Sequence, residues 1–96
     1  MNYIPGQRWV SEAEPELGLG TVLRCDERAL QVLFAKSGVV RNYAAHGAPL
    51  ARASFRVGQR IAGRGISFVV ERIDLQDGLL VYSGEKRELV EGQLDD

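Results

Sequence analysis

Three carboxylates alternate along the stretch Glu12-Ala13-Glu14-Pro15-Glu16. Acids this close can share a proton for general acid–base work, or hold a hard cation through oxygen ligands. Pro15 and the glycines Gly18 and Gly20 set them on a loop, where acids stay solvated. The sequence therefore favours a contact surface for a basic partner over a metal site. A second group is basic. Residues 28–70 hold seven bases and no acid, a net charge of +7, between a segment of −3 (residues 1–27) and one of −5 (residues 71–96). Arg41, Arg52, Arg56, Arg60 and Arg64 belong to this run. Gathered on one face they would make a basic patch; scattered, they would be ordinary solvated surface.

The remaining reactive side chains give catalysis no support. His46 stands alone on a loop beside Gly47, with no serine or acid at a spacing that suggests a triad. One cysteine, Cys25, and one histidine make no zinc pattern. The lone cysteine also excludes an internal disulfide and fits a reducing compartment. No phosphate-binding GxxxxGK[ST] loop occurs, so the chain is no P-loop ATPase. The expectation is a non-enzymatic domain with no catalytic, metal or cofactor-binding residues. The apolar runs fall far short of the ~20 residues that span a bilayer, and no basic-then-apolar leader opens the chain. Cytoplasmic placement without membrane contact is expected.

The elements that must carry these residues read as strands. Short β-branched and aromatic runs alternate with Gly, Asp and Pro punctuation, and no convincing amphipathic helix appears. Strands are expected near 7–11, 19–25, 29–35 and 38–44, and again near 59–64, 66–74, 78–83 and 86–91. "DERA" and "DLQDG" are the tight connections of two central hairpins, and residues 45–55 are a linker. Period-two alternation puts Leu30, Val32 and Phe34 on one face, as it does Leu80 and Tyr82.

The two sets of four are copies of one module. Gly6-Gln7-Arg8 returns as Gly58-Gln59-Arg60. With a shift of 48, Val22, Arg24 and Asp26 fall on Val70, Arg72 and Asp74, and Val32-Leu33-Phe34 on Leu80-Val81-Tyr82. The shift between the triplets is 52, so the first copy holds four extra residues, placed in the acidic loop. Trp9 takes the place of Ile61, which predicts a core role. Cys25 takes the place of Ile73, which predicts a buried small hydrophobe. Tyr3 and Tyr43 lie outside the matched block and are expected nearer the surface. A unit of about 45 residues buries little apolar surface alone. Packing two together, or against a larger protein, is the remedy, which leans toward a docking module.

The run Pro5-Gly6-Gln7-Arg8-Trp9, followed by Glu16-Leu17-Gly18-Leu19-Gly20-Thr21-Val22, closely resembles the opening of the bacterial RapA family, RNA polymerase-associated ATPases of the SWI/SNF-like class. The likeness extends more loosely through "FRVGQRI" and "DGLLVYSGE". "AGRGISF" departs from it, standing where a longer, tryptophan-bearing hairpin tip is expected. The resemblance implies an all-β fold of two tandem Tudor-like subdomains, related to Src-homology-3-like barrels and KOW modules, at residues 1–50 and 51–96. It implies an N-terminal domain that binds core RNA polymerase and restrains the ATPase region of its own parent chain, which recycles polymerase during transcription. ATP and Mg²⁺ would be needed only by that parent ATPase. Glu12, Glu14, Glu16, Arg41, Arg52, Arg56, Arg60 and Arg64 are the expected contact residues. The alternative is a KOW-like RNA- or DNA-binding module that uses the basic middle.

Overall fold

A computed structural model describes residues 3–96. Its fold is all-β, as the sequence predicts, and the chain divides into two compact units, Met1–Ala53 with Asp96, and Ser54–Asp95. In the first unit β1 (Arg8–Ser11), β2 (Leu19–Cys25), β3 (Ala29–Phe34), β4 (Val39–Ala44) and β5 (Leu50–Arg52) form one antiparallel sheet, ordered β4-β3-β2-β1-β5. A 3₁₀ turn at Pro15–Leu17 connects β1 to β2. In the second unit β6 (Arg60–Gly63) pairs with β7 (Ile66–Val69). There β8 (Arg72–Gln76), β9 (Leu79–Gly84) and β10 (Arg87–Val90) form a three-stranded sheet ordered β10-β9-β8. Among the described residues no sheet closes into a barrel.

The repeated triplet is a repeated piece of backbone. Gly6 and Gly58 have the same left-handed φ of 96°, open to glycine without steric cost. Gly6 N–H donates to Val22 O at 2.9 Å, and Gly58 N–H to Val70 O at 2.8 Å. Val22 and Val70 return the bond to Gln7 O and Gln59 O. Both copies thus begin by tying the same turn to the same later strand. The four extra residues of the first copy lie where the sequence puts them: a 3₁₀ turn joins β1 to β2, whereas a two-residue turn at Arg64-Gly65 joins β6 to β7.

Core filling differs between the copies but is reciprocal. A Cβ added at Gly20 would lie 2.6 Å from Val32 Cγ1 and 2.7 Å from Phe34 Cε1. In the second unit Phe68 occupies the position of Gly20, and the glycine stands on the facing strand instead. A Cβ at Gly84 would meet the Phe68 ring at 3.1 Å and the backbone of Val69. Leu30 faces Tyr43 in the first unit, and Tyr82 faces Leu89 in the second. Large and small partners have changed strands between the copies, the kind of exchange that close-packed interiors tolerate.

Five expectations are corrected. The second central hairpin is longer than a constant shift of 48 allows. Arg24–Gln31 and Cys25–Leu30 correspond to Arg72–Ser83 and Ile73–Tyr82, so β3 maps onto β9 with a shift of 52. "DLQDG" is accordingly not all turn: Asp74, Leu75 and Gln76 belong to β8, and only Asp77-Gly78, both at positive φ, make the reversal. The strand expected over 66–74 is broken between Val69 and Arg72, opposite in the repeat to the bulge between Val22 and Arg24. The 45–55 linker contains β5, whose pairing of Leu50 with Ser11 and Arg52 with Trp9 makes it the sheet's edge. Finally, Tyr3 is buried and Tyr43 half-buried, whereas Cys25 is only partly covered. Cys25 ends β2 at the mouth of a hairpin, where the sheet runs out of neighbours.

Candidate partner-binding surface

The acidic loop is held by its own short-range chemistry. Ser11, buried at the end of β1, accepts a hydrogen bond from Glu14 N–H at 2.8 Å, and Leu17 N–H donates to Glu14 O. Leu17 is buried in the first core, and Ser37 Oγ donates to its carbonyl at 2.9 Å. Glu12 and Glu16 therefore project into solvent from an ordered turn, while Glu14 is half-covered.

Glu14 does not wait for a partner. Arg41 on β4 reaches it with two hydrogen bonds, Nε to Oε1 and Nη2 to Oε2, each 3.2 Å. This fork geometry is the strong form of a carboxylate–guanidinium pair. The Arg41 bond holds the Glu14 carboxyl below its ordinary range and lifts the Arg41 guanidinium further above its own. Two of the expected contact residues, 27 positions apart, thus neutralise each other.

Arg52 is on β5, the opposite edge of the same sheet from Arg41. Its guanidinium carbon lies 5.5 Å from the centre of the Trp9 ring, a cation–π distance. Trp9 is buried, packs on Tyr3 with ring centres 4.9 Å apart, and donates Nε1–H to Gln7 Oε1 at 3.1 Å. The core role predicted for Trp9 holds. Tyr3 as its neighbour is invisible to periodicity, because no strand contains Tyr3.

Arg56, Arg60 and Arg64 belong to the second unit and all three are exposed. Arg60 opens β6 and donates Nη1–H to Ser67 Oγ at 3.1 Å; Arg64 sits in the β6–β7 turn at φ 52°. His46 is exposed and, with Cys25, lines a shallow hollow of about 710 Å³ in the first unit. Cys25 donates Sγ–H to Asp26 O at 3.4 Å. Among the described residues no group of three His, Cys, Asp or Glu side chains is placed to hold a metal ion, and no helix is long and apolar enough to cross a membrane.

Asp26 governs the shape of the first central hairpin. Its Oδ1 accepts from both Arg28 N–H and Ala29 N–H at 2.8 Å, and these two bonds draw its carboxyl below the usual aspartate range. The hairpin therefore ends at once after Cys25. In the second copy the equivalent Asp74 instead pairs with Arg72 Nε at 2.9 Å, and the strands run on through Leu75–Leu80 and Gln76–Leu79. These added rungs expose Leu75, whose accessibility is 68%, a feature that reading "DLQDG" as a turn conceals.

The family described as RapA N-terminal Tudor-like domain 1 matches residues 3–53. The chain belongs to the RapA N-terminal Tudor-like family. It is 48% identical to the RNA polymerase-associated protein RapA of Stutzerimonas stutzeri over 98 residues, which cover 96% of this chain and 10% of that protein. It is 51% identical to the protein of the same name from Pseudomonas fluorescens strain SBW25 over 83 residues, or 85% of this chain and 9% of the relative. It is 46% identical to the Pseudomonas aeruginosa protein over the same span. The chain spans about a tenth of the length of these RapA proteins. The Tudor-like architecture expected from the opening residues is that of this family.

Proposed function

We propose that this RapA-type domain is a non-catalytic docking and regulatory module, which helps an RNA polymerase-associated ATPase engage polymerase and restrains that ATPase until it does. One observation carries the choice of a protein partner over a phosphate backbone. The two expected basic contacts of the first unit are not gathered into a groove: Arg41 is neutralised by Glu14, and Arg52, on the opposite edge strand, lies over Trp9. The large aromatics, Trp9, Tyr3, Phe34, Phe68 and Tyr82, are buried in the cores and offer no stacking platform for bases. Of the expected contact residues, those left exposed are Glu12 and Glu16 in one unit and Arg56, Arg60 and Arg64 in the other. Exposed charges of opposite sign steer association and fix register between proteins. The names of the relatives support polymerase as the partner.

The mechanism is surface exchange: a face held by the ATPase in the resting state is claimed by polymerase, and the two equilibria are linked. The test is fluorescence anisotropy of the labelled domain titrated with core RNA polymerase, before and after nuclease treatment and at two salt concentrations. Saturable binding that survives both treatments is expected, weakened by Glu12→Lys with Glu16→Lys or by Arg56→Glu with Arg60→Glu and Arg64→Glu. Unchanged affinity in both sets would remove these residues as contacts. The second reading, nucleic-acid binding, draws on exposed Arg56, Arg60 and Arg64, with no acid between residues 56 and 70. It predicts binding lost with nuclease, and a log–log salt slope of about −0.7 to −0.9 per phosphate contact.

A further inference from the structure

We propose that the outer edge of β8 is a strand-addition site, and that its occupant is an extended protein segment whose alternating apolar residues are flanked by lysine or arginine. Among the described residues β8 pairs with β9 alone, so one of its edges has no neighbouring strand. The Asp77-Gly78 turn makes Gln76–Leu79 the closing rung of the hairpin. Hydrogen-bonded and open rungs alternate in an antiparallel pair, so Ile73 and Leu75 occupy open rungs. Their N–H and C=O groups point away from β9, toward any strand laid alongside.

The side chains agree with the backbone. Ile73 and Leu75 share a face with Leu80 and Tyr82, and Tyr82 is part of the second core. Yet Ile73 is 36% and Leu75 68% accessible, so the apolar face runs past the end of the core it serves. The first unit is an internal control. There Cys25 stands in the place of Ile73, and the hairpin ends before any counterpart of Leu75. The fold thus closes without these two side chains. Free strand edges are ordinarily blunted by lysine, proline or bulges, and β8 has none of these between Arg72 and Gln76.

Charge selects the occupant. Glu71, Asp74 and Asp77 border the edge, and its one base, Arg72, is tied to Asp74. A basic-flanked strand is complementary; a nucleic acid or an acidic segment is repelled. In strand addition the main-chain bonds supply affinity and the alternate side chains supply specificity. The inference deepens the docking reading above and rests on it for the partner's being a protein.

The probe is a short synthetic peptide of alternating threonine and valine flanked by lysines, with a glutamate-flanked twin as its control. Titration of the ¹⁵N-labelled chain is expected to shift the amides of Arg72–Gln76 and to slow hydrogen exchange at Ile73 and Leu75. The twin should bind at least tenfold more weakly. Leu75→Pro removes the outward N–H without touching the β9 ladder, and should cost at least tenfold in peptide affinity. A double variant, Ile73→Lys with Leu75→Lys, changes only exposed side chains and should lose a similar factor. Wild-type affinity in both variants, equal affinity for both peptides, or unchanged exchange at Ile73 and Leu75 would overturn the proposal. So would a dimer of this chain that Leu75→Pro dissociates, since the edge would then be taken by a second copy. Parallel titration with core polymerase separates the two readings. Polymerase binding that Leu75→Pro leaves intact overturns the strand-addition site and leaves docking standing. Peptide binding without polymerase binding does the reverse.

Discussion

Gly20 and Val32 form a packing pair whose energetics can be worked from the geometry. A methyl at Gly20 would sit 2.6 Å from Val32 Cγ1 and 2.7 Å from Phe34 Cε1, against about 3.5–4.0 Å for a relaxed carbon contact. Overpacking on this scale costs about 1–3 kcal/mol, and Gly20→Ala should destabilise the first unit by that amount. Val32 is fully buried; Val32→Ala removes two methyl carbons and leaves a void, for a loss of about 2–3 kcal/mol. In the double variant the new methyl enters the space vacated by Cγ1, and the Phe34 ring gains room to shift. The pair should then be less destabilised than the sum of the singles by about 1–2 kcal/mol. Trp9 is the only tryptophan and lies in the same core, so its fluorescence through a urea titration follows this unit. Additivity within about 0.5 kcal/mol would refute the reasoning, because it would mean that strain from the Gly20 methyl is relieved elsewhere than at Val32.

Three further outcomes follow from individual contacts. The Glu14 carboxyl should titrate by NMR below the ordinary glutamate value of ~4.3 and return to it in Arg41→Met, since the Arg41 hydrogen bond is the main cause of the shift. Asp26 also has a folded pKa below its unfolded one. Its contribution to stability is therefore complete above the unfolded value of ~3.9 and lost as pH falls through the folded value, a loss that Asp26→Ala should abolish in acid titrations of Tm. Lys86 occupies a left-handed turn position at φ 63° and is exposed; Lys86→Gly should stabilise the second unit by about 0.5–1 kcal/mol, read as a shift in denaturation midpoint.

Much of the fold was legible because strand periodicity is forgiving. The match of Val32-Leu33-Phe34 to Leu80-Val81-Tyr82 aligned β9 with β3 four residues out of step, yet it still predicted which side chains face inward. Four is an even number, and side chains alternate with period two. The missed strand β5 is a different case. Leu50-Ala51-Arg52, directly after Pro49, is too short to declare itself, and it is extended because β1 offers it a ladder. The candidate surface was least legible. Residue types and charge picked out the acidic loop and the arginines, but pairing Glu14 with Arg41 needed the turn of Pro15–Leu17 and the register of β4.

By itself, then, the sequence determined the strand-rich class, the duplicated module, the place of its four-residue insertion and the family. Each of these rests on local chemistry: alternation, the glycine needed at a positive φ, and a proline-marked loop. Only the tertiary structure decided which charges are already spent on one another, which aromatics are buried, and where β8 leaves Ile73 and Leu75 uncovered. Those depend on contacts between residues far apart in the chain, where hairpin length and strand order choose the neighbours.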